Sequence, residues 1–171
     1  MRNYLAALLL VISSCATTYA QEMVKPGKEH ELLAQVAGNW DITFDAGGSE
    51  MKGTANYKVM HGGLWVQSEV DAKMPIGPFS GTGLDSYDPG KKKYVSIWVD
   101  SMSTSPLVLE GTMGADGKTL TMTGKGPSES GATVEYKTVT EFVSKDKHVF
   151  KMWMGNLSGD PMMTAVYTRK K

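Results

Sequence analysis

Two segments of the chain alternate aliphatic side chains with aromatic and hydrogen-bonding ones, and the second kind could bind a ligand. An alternation with a period of two is typical of β-strands, where successive side chains point to opposite faces. The candidate ligand-binding residues of segments 63–71 and 92–100, with one later tyrosine, are Trp65, Gln67, Glu69, Tyr94, Trp98, Asp100 and Tyr136. Pointing into a barrel, they would line a lumen for a small, largely apolar molecule. The alternation leaves open which face is the inner one, and the tryptophans could instead cover the aliphatic surface from outside.

Glu69 and Asp100 could also do acid–base chemistry. Two carboxyl groups that meet across a lumen can act as general acid and general base, as in hydrolases or isomerases. The alternative is that Asp100, at the end of its segment, anchors a ligand or makes a structural hydrogen bond. No residue is therefore assigned as catalytic, and ligand binding is the leading hypothesis.

The composition favours an all-β fold and gives no argument for nucleic acid or an anionic membrane surface as a partner. The 171 residues include 18 basic and 18 acidic ones, so no surplus of charge points to nucleic acid. Turn-forming pairs separate short runs rich in Thr, Val and Tyr. The predicted strands are 40–45, 51–60, 63–71, 79–88, 92–100, 106–114, 118–124, 132–143, 147–154 and 162–169. Ten strands joined by short turns predict a single antiparallel up-and-down β-barrel, because closing the sheet removes its exposed edges.

A short helix precedes the strands. Leu32, Leu33 and Val36 recur at helical spacing between Glu29 and Ala37. Gly38 follows, and glycine is common just after the last turn of a helix. The sequence therefore predicts a helix of two turns that ends at Gly38 and covers one end of the barrel.

The first twenty residues have the features of a signal peptide. Arg2 precedes an apolar run that is too short to span a bilayer, and small residues lead up to Ala20. The alternative is a lipoprotein signal cleaved before Cys15, in which case a lipid on Cys15 would anchor the protein to a membrane. We expect residues 1–20 to be a signal peptide, the barrel to occupy 26–171, and the protein to be exported to the periplasm or secreted. The oligomeric state stays open.

Both ends of the barrel segment resemble a known group of proteins. Gly38-Asn39-Trp40 at the start of the first strand and Arg169 in the last one resemble the calycins, which include the lipocalins. The resemblance implies that Trp40 closes one end of the barrel and that Arg169 packs on it through a cation–π contact, with hydrogen bonds to nearby backbone. Some haem-binding calycin-like barrels hold iron through one histidine in a late strand. His148 is a weak candidate for such a ligand; otherwise no metal or cofactor is expected.

A second resemblance covers nearly the whole segment from Pro26 to Lys170. The matching motifs are Gly62-Gly63-x-Trp65-Val66-Gln67, Gly81-x-Gly83-x-Asp85-x-Tyr87-Asp88, Lys92-Lys93-Tyr94-Val95-Ser96-x-Trp98-Val99-Asp100 and Tyr167-Thr168-Arg169. On these motifs the chain is identified as a member of an exported bacterial family, domain of unknown function fifteen-seventy-nine. The resemblance implies a calycin-like barrel but no activity. The function predicted is the binding of a small apolar molecule; an enzyme using Glu69 and Asp100, or a structural or interaction module of the cell envelope, are the alternatives.

Overall fold

A computed structural model of the chain describes residues 24–46, 48–128 and 130–171. The predicted signal peptide and the predicted lipid site at Cys15 lie outside these residues. Among the residues described, no helix is long and apolar enough to cross a membrane.

Ten antiparallel strands form one closed barrel. The strands are β1 (Gly38–Ala46), β2 (Ser49–Met60), β3 (Trp65–Met74), β4 (Gly77–Asp88), β5 (Lys93–Asp100), β6 (Leu107–Met113), β7 (Thr119–Pro127), β8 (Thr133–Ser144), β9 (Lys147–Met154) and β10 (Met163–Arg169). Each strand pairs with the next along the chain, and β10 returns to pair with β1. The predicted all-β, up-and-down barrel is confirmed.

The helix α1 (Lys28–Ala34) lies across one end of the barrel and is shorter than predicted. Its Leu33 packs into a core cluster with Val66, Tyr94 and Leu120, so this end is the closed one. The prediction that the helix runs to Gly38 is wrong, because Gly38 already belongs to β1. The backbone carbonyls between helix and strand accept hydrogen bonds from barrel side chains, which hold this stretch out of the helix.

Gly38 is needed at the start of β1 for two reasons. Its φ of +123° lies in a region that residues with a side chain rarely adopt. In addition, a Cβ atom at this position would lie 2.9 Å from Nη1 of Arg169. The first residue of the Gly-x-Trp motif therefore makes room for the arginine that covers Trp40.

Candidate functional site

The register of the strands decides which side chains line the lumen. On β3 the inner face carries Val66, Ser68, Val70 and Ala72, all of which are buried. Trp65, Gln67 and Glu69 alternate with them and therefore lie on the outer wall. Gln67 donates a hydrogen bond to Glu69 over 3.2 Å, and both residues line a shallow recess of about 110 Å³ on that wall. The expectation that these three residues line the lumen is wrong.

On β5 the aromatic face is the inner one. Trp98 lies against β4, where Gly81 and Gly83 leave room for its ring. A Cβ atom at Gly81 would lie 2.2 Å from Cζ2 of Trp98, and one at Gly83 would lie 2.4 Å from Oγ of Ser68. The two glycines thus form the seat of a tryptophan ring inside the barrel.

Asp100 makes structural hydrogen bonds beside this tryptophan. The Nε1 atom of Trp98 donates to Oδ2 of Asp100 over 2.8 Å, and the backbone N–H of Met102 donates to Oδ1 over 2.8 Å. Asp100 lies on the inner face, whereas Glu69 lies on the outer wall. The two carboxyl groups do not meet across the lumen, so the acid–base pair that was the alternative to ligand binding does not form.

The two candidate tyrosines lie on the inner face. Tyr94 is buried at the closed end against Tyr87, with ring centroids 5.1 Å apart. Burial is the main cause that raises the pKa of its hydroxyl. Tyr136 donates a hydrogen bond to the carbonyl of Pro127 over 2.6 Å, and its hydroxyl lies 3.0 Å from the sulfur of Met154. Both side chains are packed parts of the wall.

His148 is enclosed by aromatic rings at the closed end. Its ring stacks on that of Tyr167, with centroids 4.3 Å apart, and meets the edge of Trp40 at 4.6 Å. The ring centroids of Tyr57 and Phe142 lie 6.0 and 6.2 Å from that of His148. Burial, with the Arg169 charge as a second cause, lowers its pKa to about 4, and its Nδ1 atom has no hydrogen-bond partner within the described chain. His148 is therefore a packed member of the aromatic cluster at the closed end.

The inner wall also carries a polar group that the sequence pattern did not predict. This group, the lumen floor, consists of Asp85 on β4, Ser96 on β5, Tyr57 on β2 and Tyr167 on β10. Asp85 and Ser96 are direct partners in the register. In the motif Gly81-x-Gly83-x-Asp85, the aspartate lies on the same strand face as the two glycines. This shared face is the sequence feature that could have predicted an inward Asp85.

Burial controls the protonation of the floor. Loss of solvent raises the pKa of Asp85 to about 6, and the Ser96 side chain, which can donate a hydrogen bond to the carboxylate, acts in the opposite direction. Burial also raises the pKa of Tyr57 well above its usual range and that of Tyr167 to about 12, with the Asp85 charge as a smaller cause in both. Near neutral pH the floor therefore holds two neutral phenols around a mostly ionised carboxylate.

The charges of the inner wall are few and mainly negative. Arg169 is the basic residue that points inward from a strand, and it is used in closing the barrel. The lysines of the described strands pair in register with outward-facing residues: Lys52, Lys58, Lys73, Lys93, Lys125, Lys137, Lys147 and Lys151. The inward carboxyl groups of the described strands are Asp85 and Asp100. Within the described chain, no three His, Cys, Asp or Glu side chains are grouped so that they could hold a metal ion.

Apolar side chains surround the lumen at the end opposite the helix. All are inward-facing and only partly buried, and we call them the mouth ring: Met51, Met74, Phe79, Trp98, Leu107, Val134, Met154 and Met163. The ring of Phe79 stacks on Trp98 with centroids 6.5 Å apart. Asp85, Ser96, Tyr57 and Tyr167 are also only partly buried although they point inward. The side chains of the mouth ring and of the lumen floor thus keep accessible surface on the inner face of the wall.

A closed antiparallel barrel with a capped end and an apolar mouth defines the class of calycin-like barrels. Within that class, the chain belongs to the family described as "Protein of unknown function (DUF1579)", whose model matches residues 25–169. No curated protein sequence matches the chain.

Two solved structures share the fold at low identity. The protein Rv2717c from M. tuberculosis is 13% identical, with a TM-score of 0.62 over 85% of this chain and 99% of that one. The S-type phycobiliprotein lyase CPES from Guillardia theta is 11% identical, with a TM-score of 0.57 over 85% of this chain and 99% of that one. At these identities the likeness is one of fold.

Proposed function

We propose that this protein binds a small, largely apolar molecule in the barrel lumen. The observation that carries the proposal is the mouth ring, because its eight side chains are apolar, face inward and keep accessible surface. An apolar surface that stays accessible in a folded protein gains free energy when a ligand covers it, by about 25 cal/mol per Å². Met side chains adapt their shape easily, so a ring with four of them suits an apolar ligand.

A neutral fluorescent probe tests this function directly. N-phenyl-1-naphthylamine should become fluorescent on binding to the protein, and the variant Leu107→Arg should weaken its binding at least about tenfold by placing a charge in the mouth. The matched control is Val108→Arg, the same change at the next residue of β6, whose side chain is 48% exposed on the outer wall. Equal loss in both variants, or no binding to the unmodified protein, would contradict the proposal.

Native mass spectrometry identifies the bound molecule. The protein purified from its source organism should carry an additional mass that is lost on denaturation, and the Leu107→Arg variant should carry less of it. Retention of the same mass by Leu107→Arg, or a protein that neither retains nor takes up any ligand, would contradict binding in the lumen.

We further propose that the protein acts outside the cytoplasm. Support comes from the sequence of residues 1–20, which has the charge, the apolar run and the cleavage site of a signal peptide. Mass spectrometry of the N-terminal peptide of the mature protein distinguishes the two forms of export. A first residue of Gln21 indicates a free protein, and a lipidated Cys15 indicates a membrane anchor. A chain that still begins at Met1 would contradict export.

The alternative of an interaction module has one observation in its favour. Ile97 and Val108 are opposite each other on the outer wall and are 38% and 48% exposed. The same cross-strand row continues to polar residues on both sides, Gln67 beyond Leu84 and Lys125 beyond Val108. Across the strands the apolar strip is three side chains long, and along β5 it extends to Val99, which is 47% exposed. The mouth ring, with eight apolar side chains, is the larger apolar site.

A further inference from the structure

Asp85 is an inward carboxyl group that the barrel does not neutralise. Within the described chain no lysine or arginine forms an ion pair with it, and the Ser96 side chain is the favourable polar contact that acts on it. The other inward carboxyl, Asp100, already accepts hydrogen bonds from Trp98 and from the backbone of Met102. A carboxylate held away from bulk solvent on the inner face without a cationic partner is costly, and a ligand that supplies one lowers that cost.

We propose that the ligand is an apolar amine whose protonated nitrogen binds Asp85 at the lumen floor. This inference rests on the proposed function. Its apolar part then extends along the lumen to the mouth ring. Asp85 and Phe79 lie on the same face of β4, six residues apart, which corresponds to about 20 Å of strand. The lumen thus has an anionic group deep inside and apolar groups near the opening. This arrangement is complementary to a molecule with a positive charge at one end and an apolar chain at the other.

The floor suits a cation in other ways as well. Tyr57 and Tyr167 remain neutral phenols because burial raises their pKa values, so the negative charge of the floor resides on Asp85. Aromatic rings attract cations at their faces. His148, which stacks on Tyr167, is also neutral near pH 7 because its pKa is lowered to about 4.

The same arrangement disfavours a carboxylic acid. A second carboxylate near Asp85 would be repelled, because like charges in a poorly solvated site interact strongly. Arg169 donates hydrogen bonds to the backbone carbonyls of Ala37 and Gln35. Its Nε atom donates to the carbonyl of Lys145 and forms an ion pair with Asp146, so the guanidinium is already engaged. An alcohol could donate one hydrogen bond to Asp85 but would leave its charge uncompensated.

Competition among three compounds of equal chain length tests the amine. Octylamine, octanol and octanoate are used to displace N-phenyl-1-naphthylamine from the full chain at pH 8, where Asp85 is ionised. Octylamine should bind at least about tenfold more tightly than octanol, since its ammonium group forms an ion pair with the ionised Asp85 whereas the hydroxyl of octanol leaves that charge uncompensated. Octanoate should bind more weakly than octanol. In Asp85→Asn the preference for the amine should fall to about one, with octanol binding unchanged.

Two further variants control the experiment. Asp100→Asn removes the other inward carboxyl and should keep the preference for octylamine. Ser96→Ala removes the group that lowers the pKa of Asp85, so the pH at which octylamine binding is half lost should rise. Besides Ser96, the groups that act on Asp85 or are acted on by it are the hydroxyls of Tyr57 and Tyr167, which stay protonated through this range.

The outcomes separate the two proposals. Failure of all three octyl compounds to displace the bound probe, or failure of the probe to bind, overturns the proposed function itself. Displacement by octanol or octanoate as strongly as by octylamine leaves lumen binding intact and overturns the amine. An unchanged preference in a folded Asp85→Asn variant also overturns it, and if that variant does not fold, an unchanged pH midpoint in Ser96→Ala does so.

Discussion

The guanidinium carbon of Arg169 lies 4.3 Å from the centre of the Trp40 ring, and the two residues are direct partners in the register of β10 and β1. The guanidinium donates hydrogen bonds to the carbonyls of Ala37 and Gln35, over 2.7 Å for the latter. Trp40 donates from Nε1 to the carbonyl of Val36 over 2.8 Å. The last strand is thus joined to the first strand and to the stretch after the helix, so one contact closes the barrel and holds its cap.

Removal of the Trp40 side chain should leave a large cavity at the closed end. Trp40 is 1% exposed, and large-to-small changes of buried aromatic residues cost about 3–5 kcal/mol. We expect Trp40→Ala to lower the free energy of unfolding by this amount in a urea titration followed by circular dichroism. Trp65→Ala on the outer wall is the control and should cost clearly less; equal costs would contradict the assignment of inner and outer faces.

Replacement of Arg169 by lysine tests the hydrogen bonds rather than the charge. Lysine keeps the positive charge but lacks the planar fork that reaches two carbonyls at once. Arg169→Lys should destabilise the protein by about 2–4 kcal/mol and increase hydrogen exchange in the backbone of α1, because hydrogen bonds to charged groups contribute about 1.5–3 kcal/mol each. Lys170→Ala, which removes an exposed ion pair with Asp41, should change stability by less than about 1 kcal/mol. An Arg169→Lys variant as stable as the unmodified protein would refute the role given to these bonds.

Asp85→Asn should stabilise the protein without ligand above pH 7. The pKa of Asp85 is raised in the folded state to about 6 from an ordinary value of 3.8, so the folded state binds the proton more tightly. Its contribution to stability is complete below about pH 3.8 and is lost as the pH rises through about 6. At pH 8 the variant should be more stable by roughly 1–3 kcal/mol, and the gain should vanish near pH 4. Unfolding titrations at several pH values measure this, and Asp100→Asn, which loses two hydrogen bonds, should show no gain.

His148→Phe should make the protein less sensitive to acid. The pKa of His148 is lowered in the folded state to about 4 from 6.5, so its contribution to stability is present above pH 6.5 and is lost as the pH falls through about 4. Phenylalanine preserves the aromatic packing against Trp40 and Tyr167 and cannot take up a proton. Between pH 6.5 and 4 the unmodified protein should lose up to about 3 kcal/mol more than the variant. Replacement of the exposed His61 by Gln is the control, and an identical acid dependence in His148→Phe would contradict the prediction.

The part of the fold that follows from local pattern was predictable. A period of two along ten segments, with turn residues between them, predicts a strand meander whatever its partners are. The Gly38-x-Trp40 motif and Arg169 predict a closure because only a tryptophan and an arginine at these two ends fit the calycin pattern. Both depend on residue types at fixed positions, which the sequence carries directly.

The inner face could not be predicted in the same way. Trp65 on β3 and Trp98 on β5 stand in similar alternating runs, yet the first lies on the outer wall and the second in the lumen. The register shared with β4 decides this, because Gly81 and Gly83 leave space for a ring on their inner side only. A shift of one residue would exchange the two faces of a strand, and the alternation looks the same in either case.

The all-β chain, its turns, its short helix and the pair of residues that closes the barrel follow from the sequence, because each of these depends on neighbouring residues or on a recognised pattern. The pairing of the strands, by contrast, places Glu69 and Asp100 on opposite faces of the wall. It also brings together four inward side chains: Asp85, Ser96, Tyr57 and Tyr167. These four residues come from four strands separated by up to 110 positions. Contacts of that kind arise from the closure of the barrel, and burial in the closed barrel is what raises the pKa of Asp85 and makes it the centre of the proposed site.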